Sequence, residues 1–234
     1  MKFDVPLIEG KLLQRYKRFL ADVELADGRI VTAHSPNTGS MKGCCESGSR
    51  VWLRADDNPN RKYRYSWEMV ETFAKVMVGI NTGLANRLVR DGIESGLITE
   101  LHGYSRIRQE VPYGNENSRI DLLLENGDDK AFVEIKSVTL VENHIAYFPD
   151  TVSARGTKHL RELKNVAQQG QRAVIFYCVQ RNDANEVRPA DAIDPVYGQA
   201  LRDALNCGVE GLAYAAQITP SGIELDRRLS LICP

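Results

Sequence analysis

The run Ala173-Val174-Ile175-Phe176-Tyr177-Cys178-Val179 constrains this chain more than any other feature. Seven apolar residues in a row cannot alternate between core and solvent. A strand there is buried on both faces, which is the position of a central strand in a sheet covered by helices. The flanking sequence supplies those layers. A helix is expected over 152–169, ended by Gly170, and another over 195–206, followed by Gly208. Upstream, Thr82 caps a helix over 83–95 that stops at Gly96, and strands follow over 105–111, 118–124 and 131–140. Asn126-Gly127 marks the turn between the last two. Strands over 211–218 and 222–226 close at Pro220-Ser221-Gly222. The order α-β-β-β-α-β-α-β describes a mixed α/β (α+β) domain with a central mixed sheet flanked by helices.

The first eighty residues have a different rhythm. Short strands are expected over 18–25, 29–34, 50–55, 63–72 and 75–81, with Ala26-Asp27-Gly28 as a hairpin turn and Asp56-Asp57-Asn58-Pro59-Asn60 as a loop. Five short strands without a helix suggest a five-stranded OB-like β-barrel. The boundary falls near 78–83, giving an OB-like nucleic-acid-binding domain over 1–80 and a second domain over 81–234. Tyr63, Tyr65, Trp67 and Met69 alternate onto one strand face, and Tyr65 and Trp67 read as core. His34-Ser35-Pro36-Asn37-Thr38-Gly39 is rich in turn formers and reads as a structural loop.

Charge adds a functional hint. The formal net charge of −1 excludes a uniformly basic nucleic-acid coat, yet residues 11–65 carry eleven Lys/Arg against six Asp/Glu. Such a basic segment suits a polyanion. Arg15, Lys17 and Arg18 form one cluster and Arg61, Lys62 and Arg64 another; these are the expected DNA contacts of the barrel. Five cysteines at 44, 45, 178, 207 and 233 include no Cys-x-x-Cys pair and no nearby histidine, which argues against structural zinc. No signal-peptide core and no membrane-length apolar run are present, so the chain reads as cytoplasmic with free thiols.

The strongest chemical signal is Arg119-Ile120-Asp121-Leu122-Leu123 followed by Phe132-Val133-Glu134-Ile135-Lys136. Asp121 interrupts an apolar strand, and Glu134 and Lys136, two apart, share a strand face. Burying two acids and an ammonium is costly without a purpose. One purpose is a hard divalent cation, Mg²⁺ or Mn²⁺, held by Asp121, Glu134 and the Ile135 carbonyl, with Glu110 as a further metal ligand. Lys136 then orients a water, a toolkit for phosphodiester hydrolysis. The bland alternative is a buried ion pair. On the helix over 152–169, Arg155, Lys158, Glu162 and His159 make a polar face beside a stripe of Val152, Leu160, Leu163 and Ala167. That face is expected to lean over the site, with Lys158 joining the catalytic set and Arg155 holding DNA phosphates.

Asp-x12-Glu-x-Lys within α-β-β-β-α-β resembles the PD-(D/E)xK nuclease superfamily. Several longer blocks resemble the bacterial sugar fermentation stimulation protein (SfsA) family: Arg15-Tyr16-Lys17-Arg18-Phe19-Leu20-Ala21-Asp22, His34-Ser35-Pro36-Asn37-Thr38-Gly39, Ser118-Arg119-Ile120-Asp121, Val133-Glu134-Ile135-Lys136-Ser137-Val138-Thr139-Leu140, Tyr147-Phe148-Pro149-Asp150 and Arg155-Gly156-Thr157-Lys158-His159-Leu160. The resemblance spans the whole chain and implies an OB-like domain on a nuclease-like domain. It also implies non-specific DNA binding and a regulatory link to maltose metabolism; the OB-like barrel adds single strands as a candidate substrate. Three functions stay open: a Mg²⁺-dependent nuclease, a catalytically silent DNA-binding protein that uses the nuclease fold as a scaffold, or a metabolic or regulatory protein for which nucleic acid is incidental.

Overall fold

The computed structural model describes residues 1–114, 116 and 118–234. The N-terminal part contains β1 (Ile8–Tyr16), β2 (Leu20–Leu25), β3 (Ile30–His34), β4 (Arg50–Ala55), β5 (Tyr65–Glu71) and β6 (Met77–Gly79). Their order is β3-β2-β1-β4-β5-β6, and a parallel pairing of Ala33 with Tyr65 and His34 with Ser66 closes β3 onto β5. The barrel therefore has five strands, as expected, but not the expected five. β1 has no counterpart among the strands expected from the sequence, and β6 lies outside the closure. The alternation in β1 breaks at a register shift between Leu12 and Gln14. Gly10 removes one more side chain from the pattern. A Cβ there would lie 2.4 Å from Val23, so only glycine lets β2 approach this closely.

A second register shift redirects β5. Trp52 pairs with Met69 and Leu53 with Trp67, which leaves Glu68 as the extra residue. Tyr65, Trp67 and Val70 consequently face the barrel core with Val51 and Leu53. Met69, expected on the face of Trp67, turns outward with Trp52 into the core of the second domain. Glu68 is buried in the bulge, where Arg54 (2.9 Å) and Asn81 (2.7 Å) donate to its carboxylate.

The second part comprises α1 (Ala85–Glu94), β7 (Arg106–Tyr113), β8 (Ser118–Asn126), β9 (Asp129–Val138), β10 (Leu140–Glu142), β11 (Ile145–Phe148), α2 (Ala154–Gln168), β12 (Arg172–Val179), β13 (Glu186–Pro189), α3 (Pro195–Asn206), β14 (Glu210–Thr219), β15 (Gly222–Arg228) and β16 (Ser230–Leu231). The large sheet runs β15-β14-β12-β9-β8-β7, with β9, β12 and β14 parallel and the outer pairs antiparallel. β12 is buried on both faces. Val174, Phe176 and Cys178 pack with Leu88, Val89 and Ile93 of α1. Ala173, Ile175, Tyr177 and Val179 pack with Leu160 and Leu163 of α2 and Leu201 of α3.

Several local expectations are corrected. Asn81, not Thr82, caps the first helical turn by accepting from the Gly83 amide, and Thr82–Leu84 form a 3₁₀ turn before α1. α2 starts at Ala154 behind a Ser153 cap, so Val152 precedes the helix and is exposed instead of joining the core stripe. A four-stranded sheet, β10-β11-β13-β16, adds to the expected architecture. Residues 1–3, counted with the barrel in the sequence division, pair with the edge of the second sheet: Lys2 bridges Gly222, and the Ile223 amide donates to Met1 (3.0 Å). All five cysteines are free. Among the described residues no helix is long and apolar enough to cross a membrane.

Candidate active site

Three adjacent strands bring the acids into one row. β7 and β8 pair Gln109 with Leu122 and Val111 with Ile120, which sets Glu110 opposite Asp121. The β8–β9 ladder ends at Leu122 with Val133, which leaves Asp121 beside Glu134. Beyond that point the strands part, and Asp121 fills the gap with its side chain. Its carboxylate accepts from the Ile135 amide (2.7 Å) and from Asn86 Nδ2 on α1 (3.0 Å). The same Asn86 amide reaches Glu110 at 3.5 Å. Glu110 is exposed and occupies a left-handed backbone position, φ 53°.

Glu134 is 2% exposed and Lys136 9%. Lys136 Nζ donates to Glu134 Oε1 at 2.7 Å, and His159 Nδ1 meets the same oxygen. Arg155 Nε donates to His159 Nε2 (3.3 Å), which assigns the imidazole proton to Nδ1 and aims it at Glu134. Glu134 Oε2 is buried and has no hydrogen-bond partner among the described residues. Burial disfavours ionisation of Glu134, but the His159 and Lys136 contacts outweigh it and hold the carboxyl below its ordinary range. Asp121 goes the other way. Burial first, then the Glu134 charge, push it up to about 6 against the opposing bonds from Ile135 and Asn86. The two neighbouring acids thus differ in proton affinity because Glu134 takes the hydrogen bonds of both His159 and Lys136, whereas Asp121 gains less from Lys136 than it loses to burial and the Glu134 charge.

These groups line a cleft of about 640 Å³ between the two parts of the molecule. Asp121, Glu134, Lys136, Glu110 and Arg155 form one side, and Arg18, Asn37, Thr38 and Gly39 of the barrel form another. Lys158 is not brought to the cluster; its ammonium donates to the Glu116 carbonyl. His159, one residue on, takes the place next to Glu134. Its helical position beside Arg155 was the available signal, whereas nothing in the sequence pointed to Asn86. Of the basic clusters, Arg15 is half-buried against backbone carbonyls, Arg61 bonds Asp56 (2.6 Å) and Ser66 (2.9 Å), and Arg64 bonds Asp57 (2.7 Å). Lys17 and Lys62 are exposed, Lys62 over the Tyr63 ring. The loop read as merely structural, 34–39, supplies the barrel's share of the cleft together with Arg18.

A closed OB barrel docked on a helix-flanked mixed sheet, with paired acids and a lysine at the seam, defines a two-domain class. Family models match both halves: the SfsA N-terminal OB domain over 13–80 and the sugar fermentation stimulation protein RE domain over 83–222. The chain belongs to the sugar fermentation stimulation protein (SfsA) family. A sugar fermentation stimulation protein homologue of Geobacter sulfurreducens is 59% identical over 227 residues, covering 97% of each chain. The Geobacter metallireducens homologue is 59% identical over 232 residues, covering 99% of this chain and 100% of that one. The structure of SfsA from Pyrococcus furiosus in complex with Ca²⁺ is similar at a TM-score of 0.90 and 31% identity, covering 99% of this chain and 98% of that one.

Proposed function

We propose that this protein binds DNA non-specifically in the cytoplasm and hydrolyses phosphodiester bonds in the cleft with a bound Mg²⁺ or Mn²⁺. The observation that carries the reading is the buried Oε2 of Glu134, which has no partner among the described residues, beside an Asp121 carboxyl pushed up to about 6. Neither acid gains from the other's company. A hard cation between them removes both penalties, by giving Oε2 a partner and by favouring the ionised form of Asp121. Asp121, Glu134 and the Ile135 carbonyl are the residues that would hold it, with Glu110 further out. Among the described residues no three His, Cys, Asp or Glu side chains form a ready-made cage, so carbonyl and water oxygens complete the set. The Pyrococcus furiosus relative is in complex with Ca²⁺, and Ca²⁺ is a hard cation that, like Mg²⁺, favours carboxylate, carbonyl and water oxygens.

When bound, the ion offsets phosphate charge and lowers the pKa of water. The chain's own residues do the rest. Lys136, held by Glu134, orients the attacking water and presents positive charge to the phosphate. His159 and Arg155 fix the rotamer of Glu134, and Arg18 binds a flanking phosphate.

One observation favours a second reading. Asn86, the Ile135 amide, Lys136 and His159 already satisfy most of the acid oxygens, so the core holds without an ion. A catalytically silent DNA-binding protein could retain that network as scaffold. On either reading the proposed regulatory link to maltose metabolism runs through DNA binding. Labelled single- and double-stranded DNA incubated with Mg²⁺, Mn²⁺ or chelator separates the two. The nuclease reading expects cleavage only with the divalent ion and none by Glu134→Gln; a wild-type protein inert with both ions on both substrates leaves the silent reading.

A further inference from the structure

The wall of the cleft opposite the acids comes from two barrel segments, the β1–β2 turn with Arg18 and the loop with Asn37, Thr38 and Gly39. Arg15 ties them together. Its guanidinium donates to the carbonyls of Arg18 (2.6 Å), Asn37 (2.9 Å), Gly39 (2.9 Å) and Ser40 (3.3 Å). A planar fork with several donors can gather carbonyls in this way, and a lysine cannot. The loop is fastened from the other side by the second domain. Asp150 accepts from the Met41 amide (3.0 Å) and Ser40 Oγ (3.3 Å), and Lys42 pairs with Glu142 (2.6 Å). A Cβ on Gly39 would stand 2.5 Å from the Asp150 carboxylate, so the loop comes this close only because residue 39 is glycine. This wall is braced on both sides.

The turn at its rim keeps two cations where the backbone disfavours them. Lys17 and Arg18 occupy left-handed positions, φ 50° and 66°, which Asn-Gly would fill at lower cost. Among the described residues three cations line the cleft, and two are engaged: Lys136 with Glu134 and Arg155 with His159. The Arg18 side chain is exposed and forms no hydrogen bond or ion pair with any described residue.

We propose that this braced wall is a jaw for a single DNA strand, with Arg18 gripping the backbone phosphate of the strand that passes the acid row. The inference rests on the reading of the cleft as a nucleic-acid site, but not on turnover. About 640 Å³ lies in the range that encloses a drug-sized ligand, which gives room for about one or two nucleotides between fixed walls. A cavity of that volume cannot enclose duplex DNA, whose major groove alone is about 12 Å wide. Arg15 is a positioning residue that acts through Arg18, not a phosphate contact of its own.

The test is a fluorescence-anisotropy titration of labelled oligothymidylate and of a duplex of equal length, in chelator, across a range of salt. Wild type binds the single strand more tightly. Arg18→Ala weakens single-strand binding about tenfold and lowers the log–log salt slope by about 0.7, with duplex affinity and melting temperature unchanged. Arg15→Lys, which keeps the charge, weakens single-strand binding alone but adds nothing in the Arg18→Ala background, as expected of residues that act as one unit. Equal affinity of wild type for both probes overturns the jaw, as does an Arg18→Ala protein with unchanged single-strand affinity and slope. An additive Arg15→Lys effect overturns its positioning role. Because no metal is present, these results are independent of whether the protein cleaves DNA.

Discussion

Asp121→Asn is expected to stabilise the metal-free protein at neutral pH. Burial and the Glu134 charge move the Asp121 carboxyl from 3.8 to about 6 on folding. The folded state therefore holds its proton more tightly than the unfolded state. Stability falls as pH rises from about 4 to about 6, and above that the whole cost is present. At about 1.4 kcal/mol for each tenfold change in proton affinity, ionised Asp121 costs the folded protein about 3 kcal/mol. Asparagine removes the charge and can still accept from the Ile135 amide. Its own amide then meets the Asn86 amide, and that mismatch or the required flip returns about 1 kcal/mol. The net gain is about 2 kcal/mol at pH 8, or about 4–8 °C in melting temperature for a chain of this length. Thermal melts in chelator from pH 5 to 8 check this: wild type and variant approach one another at pH 5 and separate towards pH 8. With Mn²⁺ or Mg²⁺ added, wild type rises and the variant does not, because a ligand of the native state stabilises only the protein that binds it. A variant no more stable than wild type at pH 8, or two parallel pH profiles, refutes the electrostatic account of the acid pair.

Lys136→Ala removes the ammonium beside Glu134 and leaves its carboxylate with the His159 Nδ1–H as hydrogen-bond partner, and melts in chelator are expected to show a loss of about 3 kcal/mol. If Lys136 orients the attacking water, DNA cleavage also disappears in Mg²⁺ although the ion restores much of the stability; retained cleavage removes Lys136 from the chemistry. Gly39→Ala forces its new methyl group against Asp150. Overpacking of this kind costs about 1–3 kcal/mol, and single-strand affinity is expected to fall with it; a variant with normal melting and binding shows that the wall is not braced there.

What the sequence made legible follows from how local each feature is. The apolar run of β12 and the bounds of α3 could be read because each is a property of consecutive residues. The acid pair and Lys136 could be read because a carboxylate inside an apolar strand is costly to bury unless a partner or a ligand meets it. Features set by packing were hidden. β1 is disguised by its register shift, and Met69 leaves the face of Trp67 because Glu68 is a bulge, which no alternation rule sees. β10, β11, β13 and β16 are two to four residues long and exist only by virtue of their neighbours. The choice between Lys158 and His159 depends on the rotation of α2, which the packing of Leu160 and Leu163 fixes. Counting charges located the basic segment but not its free cations. Asp56 and Asp57, in a stretch read as plain loop, engage Arg61 and Arg64 and leave Arg18 as the unpaired arginine of the cleft.

The acid row itself joins both kinds of information. Given the two hairpins, the register places Glu110, Asp121 and Glu134 side by side on β7, β8 and β9. At that same row the sheet is least regular. Glu110 has a positive φ, the β8–β9 ladder stops, and the Ile135 amide is satisfied by a carboxylate instead of a carbonyl. Valine or isoleucine at these positions would continue the ladder and bury more apolar surface. The chain instead gives up backbone pairing, places two acids in low dielectric and leaves one of their oxygens without a partner among the described residues. Each departure is unfavourable on its own, and all three coincide at the floor of the cleft between the domains. A cost concentrated at one row and one cavity is what the proposed binding site requires.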